Sequence, residues 1–175
     1  TFKTNDLLLS VGTVQIINIA GNIARLIVSK PFGRYSDRTS FAKGFNLALL
    51  IIVAGYAVNI FAAPGRVWCI VFFTVMYSVC FAGTNQNSYN IVYNYVNSDY
   101  IVSAMSIKNC IGGLLGFLSS LAGGKILSVI QGNGNMFLGM HVYGQQVLSA
   151  ISLVIILAAF VFNKLVIQKQ AAVMQ

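Results

Sequence analysis

At 175 residues the chain has the size of one globular domain, yet hydrophobic residues make up 57% of it and charged ones only 8%, where soluble domains carry roughly 45–50% and 25%. With 11 Lys/Arg and 3 Asp/Glu, there is too little charge to cover a water-facing surface, which excludes a soluble domain and points to lipid as the surrounding medium. The net charge of +8 is dispersed between apolar runs instead of gathered on one face or tail, which excludes nucleic acid as a partner. Cys69, Cys80 and Cys110 lie in or beside apolar runs without metal-like spacing and read as small buried hydrophobes.

Five apolar stretches are long enough to cross a hydrocarbon core of about 30 Å. They run from Asp6 to Ser29, Phe45 to Ala63, Val67 to Tyr95, Val102 to Ile130 and Gln145 to Leu165. The expected fold is all-α: a polytopic transmembrane helix bundle of about five spans. Between them, Lys30 to Gly44 reads as a loop containing Pro31 and Gly33, Ala63-Pro64-Gly65-Arg66 as a tight turn, and Gln131 to Asn135 as a polar loop. Alternating sides puts Lys30, Arg34, Arg38, Lys43, Lys108, Lys164 and Lys169 together, with Lys3, Arg66 and Lys125 opposite. The richer side should face the cytoplasm of a plasma (cell inner) membrane, with the N-terminus outside and residues 166–175 as a cytoplasmic tail.

Polar residues within the spans carry the functional information, because each is costly in lipid. In the first span Gln15, Asn18, Asn22, Arg25 and Ser29 fall within about 80° around the helix, a stripe that must face protein or water. The three amides point to a wet cavity. Arg25, placed near the end of this span, reads as snorkelling toward headgroups. The second span is nearly blank, with Asn46 and Asn59 at its ends.

Midway along the third span the character changes, from the apolar Trp68–Gly83 to the polar belt Thr84-Asn85-Gln86-Asn87-Ser88-Tyr89-Asn90. Tyr77, Phe81, Thr84 and Ser88 share a face to within about 60°, and Tyr93 and Tyr95 suit an interfacial belt. In the fourth span Gly112, Gly116, Ser120 and Gly124 recur every four residues, a pattern that lets a neighbouring backbone approach closely. The fifth span is again blank apart from Ser149 and Ser152. First, third and fourth spans are therefore expected to build the interior, and second and fifth to face lipid. His141 reads as a solvated loop residue. No nucleophile–base pair, phosphate loop or metal cluster stands out, so neither an enzyme nor a cofactor is expected.

The segment Gly33-Arg34-Tyr35-Ser36-Asp37-Arg38 resembles the short loop signature of the major facilitator superfamily, a glycine followed four residues later by Asp-Arg. Gly33 would allow a tight turn, Asp37 would cap the next helix or pair with a basic residue, and Arg34 and Arg38 would meet anionic headgroups. After Arg38 the sequence departs from the fuller pattern, with Thr39-Ser40-Phe41-Ala42-Lys43 in place of the further glycine and basic pair.

That resemblance implies half of a major-facilitator-type fold, the C-terminal half lacking its first helix, with the N-terminal half of the same transporter as partner. It further implies alternating-access transport of a small solute bound near the bilayer midplane. The candidate solute-binding residues are Gln15, Asn18, Asn22, Tyr77, Thr84 and Asn85, and their amide, hydroxyl and aromatic groups suit a neutral polar solute. A permease subunit of another transporter class and a non-transporting structural membrane protein are the alternatives.

Overall fold

The computed structural model describes residues 9–63, 65–137 and 140–169. Five helices follow one another: α1 (Val11–Arg38), α2 (Phe41–Asn59), α3 (Val67–Tyr95), α4 (Ile101–Gly132) and α5 (Gly144–Phe162). All five are long and apolar enough to cross a membrane. A 3-10 turn, Ser98–Tyr100, leads into α4, and a π turn, Asn163–Ile167, continues α5. The two-residue strands β1 (Met136–Phe137) and β2 (Met140–His141) form a small antiparallel ribbon between α4 and α5. Lys3, Asp6, Pro64 and the end of the tail lie outside the described residues.

The first connection corrects the sequence reading. Pro31 and Gly33 do not break the chain: α1 runs through both to Arg38, leaving only Thr39 and Ser40 between α1 and α2. Tertiary packing overrides the proline here, since Phe32, Gly33 and Ser36 are all buried. Helical phase keeps these three inward while Arg34, Tyr35, Asp37 and Arg38 stay exposed. Nor does Asp37 cap the next helix. That is done by Ser40, whose Oγ accepts the backbone N–H of Lys43 at 3.2 Å. The second connection is a tight turn as expected, with Arg66 N–H donating to the Ala63 carbonyl at 2.9 Å and Gly65 at φ 88°.

The expected division between interior and lipid-facing helices is overturned for α2 and α4, while α3 is packed and α5 largely unburied as expected. Of the most apolar stretch of α2, 39% of residues are buried, against 6% for α4. The cause is small side chains. Gly44, Ala48 and Gly55 give α2 a smooth face, so α3 packs so closely on it that a Cβ on Gly83 would sit 2.9 Å from that of Ala48 and 2.5 Å from the Phe32 ring. The main core joins Phe32, Ala48, Ile52 and Cys80 from α1, α2 and α3; a second, Ala62, Cys69 and Ile70, closes the turn between α2 and α3.

Helix α5 runs antiparallel to α2 and is held to it by polar pins. Asn59 donates to Ser149 Oγ at 2.8 Å, and Gln146 Nε2 to the Ala62 carbonyl at 2.9 Å. At the opposite end, Asn163 Nδ2 donates to the Ala42 carbonyl at 2.9 Å and to Asn46 Oδ1 at 2.6 Å. Asn46 and Asn59, which look incidental in a blank helix, are the fasteners of this seam. By contrast α4 stands apart. A Cβ at Gly112, Gly116 or Gly124 would meet nothing within 4 Å, and Ser120 is exposed beside them, so the glycine face packs on no described part of this chain. Lys108 fastens α4 to α3, its Nζ lying 3.7 Å from the centre of the Tyr89 ring.

Candidate functional site

Helix α1 touches the rest of the bundle mainly along α3. Gly21 makes the approach possible, since a Cβ there would come within 2.6 Å of Ser78 Oγ. Beside that crossing the two helices diverge and leave a groove of about 560 Å³ lined by Gln15, Asn18 and Asn22 from α1 and by Phe73, Thr74, Tyr77 and Ser78 from α3. A contiguous recess of about 270 Å³ shares Asn22, Tyr77 and Ser78 and adds Arg25 and Phe81.

Its α3 wall is aromatic. Phe73, Tyr77 and Phe81 recur every four residues, so successive turns bring them to the same face. Their ring centres lie 5.9 Å and 6.5 Å apart, and Tyr56 of α2 extends the row with its centre 4.9 Å from Phe73. The α1 wall is made of amides. Within the described residues the side chains of Gln15, Asn18 and Asn22 make no hydrogen bond, although each offers two donors and two acceptor lone pairs.

Arg25 is the charged member. Its Cζ sits 4.6 Å from the centre of the Phe81 ring, within cation–π range. Because α1 continues to Arg38, Arg25 falls near the helix midpoint instead of its end. Its depth follows from packing. Helix α2, with 19 residues, is ~28 Å long and nearly matches the hydrocarbon layer. Gly83 faces Ala48, and Gly55 faces Phe73 and Met76. Phe81 is therefore level with the middle of α2, and in a bilayer matched to that helix the guanidinium over it would sit deep in the apolar layer instead of at its edge.

Of the residues singled out from sequence, Gln15, Asn18, Asn22 and Tyr77 meet in the main groove. Thr84 lies in a separate apolar recess of about 230 Å³ with Tyr56, Tyr77, Cys80 and Phe81, and its hydroxyl donates to the Cys80 carbonyl at 3.0 Å. Asn85 is exposed and lines none of these cavities. Phe73, Thr74 and Ser78 were missed; only the four-residue aromatic spacing around Tyr77 signals the first of them. The loop-signature residues gather at the other end of α1. Gly33 lies under the Gln86 amide, and Asp37 opens onto a polar pocket of about 280 Å³ with Ser36, Thr39, Ser40, Asn94 and Tyr95.

Fold and groove together define a polytopic helical membrane protein in which three amides, without a hydrogen bond among the described residues, face an aromatic wall. No family model, curated protein or solved structure matches the chain.

Proposed function

We propose that this chain is one half of an alternating-access transporter of the major facilitator type and that the α1–α3 groove is its part of the binding site for a small polar solute. The observation that carries this reading is the groove itself: three amides on α1 that make no hydrogen bond among the described residues, opposite a row of aromatic rings on α3. Helix-joining amides should bond within the bundle, as the Nδ2 groups of Asn59 and Asn163 do, and wholly unbonded amides are costly against lipid. A site of this composition offers hydrogen bonds to the polar edge of a solute and flat contact to its apolar face.

Two further features bear on it. The open faces of α1 and α4 leave room for a further helix and a second half, and the Gly33–Arg38 segment resembles the family's loop signature in spacing, although here it forms the last turns of α1. The test is uptake by cells expressing the whole transporter. N18L/N22L should be inserted in the membrane at the wild-type level and lose accumulation of the solute. Unchanged uptake by that variant would overturn the reading. The 175-residue chain alone in liposomes should show no uptake, because one half encloses no pathway.

A further inference from the structure

We infer that the solute carries an anionic group, a carboxylate, sulfonate or phosphate, and that Arg25 is the residue that pairs with it; this rests on the groove being the binding site. It replaces the neutral solute suggested by sequence, which took Arg25 for a headgroup contact at a helix end. Arg25 instead lies at mid-depth and lines the groove together with Asn22, Tyr77, Ser78 and Phe81. An arginine in that position is expensive unless it is paired.

The described chain supplies no anion for it. No carboxylate lines the groove or its side recess, and Asp37 and Asp99 stand at helix ends. The Phe81 ring offsets part of the desolvation, but it occupies none of the guanidinium's five N–H donors in a hydrogen bond. Those donors have no partner among the described residues. A planar guanidinium with free donors binds an oxyanion through two parallel hydrogen bonds. Asn22 and Ser78, lining the same recess, stand ready to bond the remaining oxygens. The rest of the solute would extend along Tyr77 and Phe73 toward Asn18 and Gln15.

Electrostatics gives a test that needs no knowledge of the solute. In a background with Cys69, Cys80 and Cys110 replaced by alanine, N22C places a thiol in the groove one turn from Arg25. Its reaction rates are measured with two methanethiosulfonate reagents of similar size, one bearing a sulfonate and the other a trimethylammonium group, each normalised to its rate with a free small thiol. A cleft lined by one sign of charge raises the local concentration of the opposite ion by tenfold or more. The normalised ratio should favour the sulfonate by about tenfold, fall to near one in R25Q and persist in R25K. In the R25-containing protein it should also collapse in about 1 M salt, where the Debye length is about 3 Å; this arm stands even if R25Q fails to fold. If N22C reacts with both reagents and the ratio ignores R25Q or salt, the anionic solute is wrong while the groove stands. If N22C reacts with neither reagent, the groove is closed to water and both readings fall.

Discussion

Two polar seams run through this molecule, and they are built from the same amide side chains to opposite effect. Between α2 and α5, Asn46, Asn59, Asn163 and Ser149 are buried and hydrogen-bonded to each other or to backbone. Between α1 and α3, Gln15 and Asn22 are exposed to the groove, Asn18 is half-buried and none is bonded within the described chain. An amide in an apolar segment therefore says little by its presence. Its partner decides whether it holds helices together or waits for something else.

The difference can be broken by substitution, and the largest effect belongs to the packed side. Gly83→Leu would drive a side chain into Phe32 and Ala48, and should cost about 3 kcal/mol or prevent α1, α2 and α3 from assembling; thermal unfolding of the purified chain in detergent reads this directly. Next comes Asn163→Leu, which strands the Asn46 amide oxygen and removes one donor from the Ala42 carbonyl and should lower stability by about 1–2 kcal/mol, visible in the same assay as an earlier release of α5. N18L/N22L should shift stability by no more than about 0.5 kcal/mol; a loss as large as that of Asn163→Leu would erase the distinction and make the groove amides fasteners too. Smallest of all, Gly116→Leu should leave the isolated chain unchanged, because no neighbour lies there to be displaced. If the chain assembles with a second half as proposed and α4 meets it through that face, the same variant should reduce the yield of folded complex, measured by size-exclusion chromatography.

Much of the architecture was legible from hydropathy alone, since five apolar runs of sufficient length leave few alternatives. The third helix was placed at its observed bounds, Val67 to Tyr95, because Arg66 and the Asn97-Ser98-Asp99 stretch flank it. The amide stripe was legible as well, being a property of helical phase. What the sequence could not disclose was who packs on whom. A featureless helix such as α2 reads as lipid-facing, yet its alanines and glycines make it the surface against which α3 fits. A regular glycine row such as that of α4 reports how near a neighbour could come without saying that one is present in this chain. Pro31 was misread for a related reason: charged residues and a proline mark the end of an apolar run, but the helix persists because Phe32 has burial to gain beyond it.

Pro31 has no amide hydrogen, so the carbonyl of Ile27 loses its usual donor and one rung of α1 is missing. Beyond that rung, Phe32, Gly33 and Ser36 are wedged against α2 and α3; before it, the groove-bearing half buries only Ile17 and Gly21, the latter against α3 at Ser78. Bending is easiest where the ladder is already interrupted. The wall that carries Gln15, Asn18 and Asn22 thus has a natural pivot at its anchored base, and the width of the cleft can change while the three-helix core stays as it is.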